Sequence, residues 1–134
     1  MVGVVIVTHG NLSRDLVEVT ELIVGPCPNL APVTIEADDG IYEIAKKIES
    51  AVTAAEKGKG VLIITDLFGG TPSNVSLSFL QENKVEVLSG VNLPMMIKVA
   101  AHIENSNLKE LAKLARRAGK NNISLASEIM RKKV

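Results

Sequence analysis

Tryptophan is absent from this sequence, and tyrosine and phenylalanine together make up only 2% of it. Without aromatic faces there is no platform on which bases could stack. The core must therefore be aliphatic. An excess of charge of one sign is also missing, since 15 Lys and Arg balance 15 Asp and Glu. A nucleic-acid surface needs a basic excess, so this balance argues against one. The single cysteine, Cys27, has no partner in the chain for a disulfide, which fits a reducing compartment. It stands between Pro26 and Pro28 with no second sulfur, so no metal centre is expected on it. No apolar run approaches the roughly 18–20 residues of a bilayer span. No basic leader precedes the apolar N-terminus. The chain reads as cytoplasmic, with no membrane insertion and no cofactor expected.

What is present is a chain of 134 residues, 46% of them hydrophobic, which suits one domain with a substantial core. Its organising stretch is Val4-Val5-Ile6-Val7-Thr8-His9-Gly10. The four apolar residues read as part of a strand, Val2 to Val7, buried on both faces. The run stops at Thr8-His9-Gly10, where the glycine lets the backbone turn away. In an open parallel sheet, ligands bind outside the carboxyl ends of the strands. His9 is thus delivered to the edge where such proteins do chemistry.

The remaining pattern alternates. A helix is predicted from Leu12 to Val24, with Leu12, Leu16, Val19 and Ile23 as its apolar stripe, Asn11 or Ser13 as cap and Gly25-Pro26 as stop. A weaker strand follows over Ala31 to Ala37, then a turn at Asp38-Asp39-Gly40 and a helix from Ile41 to about Glu56. Lys57-Gly58-Lys59-Gly60 lacks the spacing of a nucleotide-phosphate loop. Gly60 to Thr65 is a third strand. Thr71 as cap and Pro72 at the first helical position begin a helix to about Gln81. Val85 to Leu88 is a fourth strand. A short helix from Pro94 to about His102 and a longer one from Leu108 to Ala118, stopped by Gly119, come next. Ile123 to Ser127 reads as a last short strand. This order predicts an α/β fold with a mostly parallel sheet and helices on both faces.

Three strands end in marked loops: Thr8-His9-Gly10, Asp66-Leu67-Phe68-Gly69-Gly70-Thr71-Pro72-Ser73-Asn74, and Gly90-Val91-Asn92-Leu93-Pro94. Parallel strands open them on one edge. An imidazole can accept a phosphoryl group and release it. A carboxylate bonded to one ring nitrogen fixes the tautomer and frees the other nitrogen to attack, and Asp66 is the candidate. The helix starting at Thr71-Pro72 offers N–H groups to an anion, and Gly69 and Gly70 permit close approach. Thr8, Thr71 and Ser73 are candidate hydroxyl donors to the phosphate. His102 has no carboxylate at a suggestive spacing and reads as structural.

These three loops, in this order and spacing, resemble the IIA domain of the mannose family of the bacterial phosphoenolpyruvate:sugar phosphotransferase system, over essentially the whole chain. The resemblance implies that His9 is phosphorylated on Nε2 by the phosphocarrier HPr, with Asp66 holding Nδ1. It implies transfer onward to a histidine of a IIB protein, in a chain that serves sugar uptake or regulation. It further implies a homodimer in which the C-terminal strand, matching Ile123 to Ser127, is exchanged and lies antiparallel in the partner's sheet. The wording Asn122-Ile123-Ser124-Leu125-Ala126-Ser127 is similar to free-standing, single-domain members. Two rivals are weaker. A histidine acid phosphatase wants an Arg directly before the histidine, where this chain has Thr8. A metal chelatase wants converging ligands beyond His9, and His102 is the only other histidine.

Overall fold

The valine and isoleucine runs become strands because both of their faces are covered. In a computed structural model, which describes residues 1–132, β1 (Gly3–His9), β2 (Leu30–Ile35), β3 (Val61–Thr65) and β4 (Val85–Ser89) form one sheet in the order β2-β1-β3-β4. Every pairing is parallel. Six helices accompany it: α1 (Leu12–Val24), α2 (Ile41–Ala55), α3 (Thr71–Leu77), α4 (Leu93–His102), α5 (Leu108–Asn121) and α6 (Ala126–Lys132).

Strand alternation splits the core in two. Val4, Ile6, Leu62 and Ile64 point to one side and pack with Val17 of α1, Met96 of α4 and Leu111 of α5. Val5, Val7, Val61 and Ile63 point to the other and pack with Ile44 and Ile48 of α2. Burying each such side chain contributes about 1.5–3 kcal/mol. That is why β1 and β3 tolerate no polar residue until Thr8 and Thr65. No described helix is long and apolar enough to cross a membrane.

The α/β class, the parallel sheet and the helices on both faces are as the sequence predicts. Several local expectations are corrected. Ile123 to Ser127 is not a strand: residues 123–125 are irregular, and Ala126 opens α6. A strand exists only through a neighbouring edge, and among the described residues the segment meets none. The carbonyl of Leu125 instead accepts the N–H groups of Glu128 and Ile129, starting a helix. α3 stops at Leu77 rather than Gln81 because Gln81 pairs with Val85 in the turn into β4. α5 continues through Gly119 to Asn121. Gly119 is there for close packing: a Cβ would stand 2.8 Å from Met95 Cε of α4.

α1 is also rotated relative to its predicted stripe. Its buried residues are Ser13, Val17 and Thr20, while Leu12 and Ile23 are 45% and 55% exposed. Two hydroxyls can face inward because each has an acceptor. Ser13 Oγ donates to the Val33 carbonyl at 2.9 Å, and Thr20 Oγ1 to the Leu16 carbonyl at 2.6 Å. Asn11 makes no side-chain cap. Thr8 does that work, its Oγ1 accepting the Ser13 N–H at 2.7 Å.

Candidate active site

Register creates the site. β1 and β3 pair with Val7 opposite Thr65; β3 ends there, while β1 runs two residues further along β2 to His9, so Asp66 leaves β3 beside the last residues of β1. Asp66 therefore reaches His9. Its Oδ2 accepts the His9 ring Nδ1–H at 2.7 Å and the His9 backbone N–H at 3.0 Å. Its Oδ1 accepts the Leu67 N–H at 3.0 Å. An ionised carboxylate only accepts, so the ring proton belongs on Nδ1 and Nε2 keeps its lone pair. The imidazole is 52% exposed, whereas the Asp66 side chain is 10% exposed. Burial is the largest influence on Asp66 and pushes its pKa up. The hydrogen bonds from the His9 ring and backbone, the charge interaction with His9 and the Leu67 N–H together outweigh it, and hold the carboxyl below its ordinary value.

The turn into α3 lies against the same ring. Gly70 is extended and serves as the N-cap, so Thr71 is the first helical residue rather than the cap. A Cβ on Gly70 would stand only 3.1 Å from His9 Cε1, the carbon between the two ring nitrogens. The first intrahelical bond runs from the Asn74 N–H to the Gly70 carbonyl at 2.9 Å. The N–H groups before it have no acceptor within the helix. Gly69, at φ +90°, begins this turn, and its carbonyl accepts Asn74 Nδ2–H at 3.2 Å. Thr71 shares an open cleft of about 380 Å³ with His9, Gly10, Glu36 and Asp39. Asp39 is fixed there by Lys47 Nζ at 2.6 Å and the Glu36 N–H at 2.9 Å. The Lys47 hydrogen bond, then the Glu36 N–H, hold its carboxyl below the usual range.

The structure thus brings His9, Asp66, Gly69, Gly70 and Thr71 together. Two other predicted donors lie elsewhere. Thr8 points to the α1 side of the sheet, is fully buried, and spends its oxygen on the helix cap. Ser73 is fully buried too, and its Oγ lies 3.1 Å from Ser89 Oγ. Ser89 Oγ in turn accepts Thr65 Oγ1–H at 2.7 Å. Thr65 and Ser89 were not singled out by sequence reasoning. The available signal was a hydroxyl closing each of two apolar strands. His102 ends α4, at the opposite edge of the sheet from where α4 begins after β4.

A histidine with Nδ1 engaged, Nε2 open and a glycine backbone against its edge is arranged for reversible acceptance of a small electrophile. Comparison with known proteins points the same way. A family described as "PTS system fructose IIA component" matches residues 3–115. The sorbose-specific EIIA component of Lacticaseibacillus casei is 35% identical over 111 residues, 81% of this chain and 78% of that protein. The fructose-specific EIIA component of Bacillus subtilis is 31% identical over 133 residues, 98% of this chain and 91% of that protein. The crystal structure of a phosphotransferase-system EIIA component from Streptococcus agalactiae superposes with a TM-score of 0.86 at 26% identity, covering 96% of this chain and 99% of that one. With the family matched across all four strands of the sheet, the chain belongs to the mannose, fructose and sorbose family of phosphotransferase-system IIA components, phosphotransferases that act through a phosphohistidine.

Proposed function

We propose that His9 is the residue that carries the phosphoryl group. The observation that supports this most directly is the 2.7 Å bond between Nδ1 and Asp66, with Nε2 left open beside Gly70. Nε2 attacks the phosphorus of phospho-HPr. The new N–P bond forms as the donor's N–P bond breaks, and the donor nitrogen retains the electron pair. The His9 ring gains positive charge, which the Asp66 carboxylate offsets through the Nδ1 proton. The reverse sequence delivers the group to a histidine of a IIB protein. The backbone at Gly69 and Gly70, the first N–H groups of α3 and the Thr71 hydroxyl hold the phosphoryl oxygens. Thr8 and Ser73 are not assigned this role, because their hydroxyl oxygens are engaged elsewhere.

The setting we propose is a cytoplasmic phosphotransferase chain for sugar uptake, in line with relatives named for sorbose and fructose. The working unit is a homodimer. Ile123, Leu125 and Met130 are exposed, and β4 is an edge strand of the sheet. A second copy laying its residues 123–127 along β4 would cover Ile123, Leu125 and that edge, and a dimer mass by light scattering tests it. The transfer itself is tested with radiolabelled phosphoenolpyruvate, enzyme I and HPr. The expected label is acid-labile, base-stable and lost in His9→Ala. A His9→Ala variant that still takes label refutes the assignment.

A further inference from the structure

Behind the His9–Asp66 pair runs a line of three hydroxyls, of which those of Thr65 and Ser73 are fully buried and that of Ser89 is partly exposed. Thr65 Oγ1 donates to Ser89 Oγ at 2.7 Å, and Ser89 Oγ lies 3.1 Å from Ser73 Oγ. They come from three elements: Thr65 is the last residue of β3, Ser89 the last of β4, and Ser73 sits in the first turn of α3. Each end of the line is joined to the site through the chain. Thr65 immediately precedes Asp66, and Ser73 follows Gly70 and Thr71. The Thr65 carbonyl also accepts the N–H groups of Gly90 and Val91, both at 3.1 Å.

α3 depends on this line more than an ordinary helix would. It has seven residues; those it buries fully are Pro72, Ser73 and Ser76, and its aliphatic contribution to the core is the half-buried Val75. Ser76 Oγ donates to the Pro72 carbonyl, Ser78 Oγ to the Val75 carbonyl, and Asn74 Nδ2 to the Gly69 carbonyl. All three bonds are local. Among the described residues, Ser73–Ser89 is the one side-chain hydrogen bond from α3 to the sheet. Apolar packing is non-directional and lets a short element slide, whereas a hydrogen bond fixes separation and direction. The turn that this bond anchors carries Gly70, whose backbone abuts the His9 ring.

We infer that Ser89 is a positioning residue for phosphoryl transfer. Through Ser73 and Thr65 it holds the Gly70–Thr71 turn at a fixed distance from the Asp66-bound imidazole. This rests on the reading of His9 as the phosphoryl acceptor. Ser89 touches neither the ring nor the incoming group, so its effect falls on rate rather than on partner docking.

The test is rapid-quench phosphorylation by phospho-HPr of the full chain and of three variants, Ser89→Ala, Ser89→Thr and Thr65→Val, with folding checked by circular dichroism. A misplacement of about 1 Å at a reacting group can cost about 100-fold in rate, and loss of one tether allows part of that. The expected result for Ser89→Ala is a fall of about tenfold in the rate at saturating donor, with the donor KM changed less than twofold. Ser89→Thr keeps a hydroxyl and recovers most of the rate. Thr65→Val keeps the shape, loses the hydroxyl and is slowed. A Ser89→Ala rate equal to wild type, a change in KM alone, or a Ser89→Thr variant as slow as Ser89→Ala overturns the inference. Should Ser89→Ala not fold, Thr65→Val decides, and a wild-type rate in it overturns the inference. If the wild-type chain takes no label on His9, the acceptor reading itself falls. If it labels normally and the variants match it, only the role of Ser89 falls.

Discussion

Replacing Asp66 by asparagine isolates what the carboxylate contributes. The change preserves shape and removes charge. Asp66 accepts three N–H donors, two on Oδ2 from His9 and one on Oδ1 from Leu67. An amide has one acceptor oxygen and one NH2 group. If the oxygen faces His9, the NH2 confronts the Leu67 N–H. If the oxygen faces Leu67, the NH2 confronts the His9 backbone N–H and drives the ring to the other tautomer. One donor is therefore always left facing a donor. A hydrogen bond to a charged group is worth about 1.5–3 kcal/mol. Solvent reaches the half-exposed imidazole, so the lower part of that range applies, about 1.5–2 kcal/mol. Converted to rate, that is a slowing of about 10- to 30-fold in phosphoryl acceptance. Rapid-quench labelling of Asp66→Asn by phospho-HPr measures it. A rate within twofold of wild type, in a folded variant, would refute the argument that Asp66 holds the tautomer and offsets the ring charge.

The remaining predictions concern acid, packing and capping. Asp66 has a lowered folded-state pKa, so its stabilising bonds are fully present above the ordinary carboxylate pKa of about 3.9 and are lost as pH falls through the lower folded value. Urea titrations should accordingly show a stability gap between wild type and Asp66→Asn that is constant near neutrality and narrows below about pH 4; a gap that widens there contradicts the sign. Gly70→Ala places a methyl 3.1 Å from His9 Cε1 at an ordinary backbone angle. It should slow transfer with little change in melting temperature, and unaltered kinetics would show that the ring does not need that contact. Gly3→Ala would drive its Cβ into the Ala55 carbonyl oxygen, a backbone atom that cannot swing aside. Chemical unfolding should show a loss of about 1–3 kcal/mol or more. Thr8→Val keeps the shape but removes the oxygen that caps α1, for a loss of about 1 kcal/mol by the same measurement.

Much of the site was legible because strand ends announce themselves. Val4 to Val7 and Val61 to Ile64 are apolar without interruption, so His9 and Asp66 stand out as the first ionisable residues beyond two buried strands. Pairing the two in parallel then puts them at one edge. The hydroxyls were harder to read, because Ser and Thr carry no sign of which way they face. Thr71 opens to the cleft, while Thr8 and Ser73 look the same in sequence and turn inward. Gly119 was ambiguous in the same way, since a glycine that ends a helix and a glycine that lets Met95 pass are written with one letter.

The sequence by itself determined the alternating α/β order, the parallel sheet and the family, because hydrophobic period and loop composition are local properties of the chain. Tertiary structure decided which hydroxyl serves the site, which face α1 buries, and where residues 123–127 go. Those outcomes depend on groups remote in sequence: Ser89 for Ser73, Val33 for Ser13, and, for residues 123–127, a strand edge that the described residues do not bring to them. A hydrogen-bonding group takes its role from the acceptor or donor that folding brings to it, and nothing within a few residues of it records that choice.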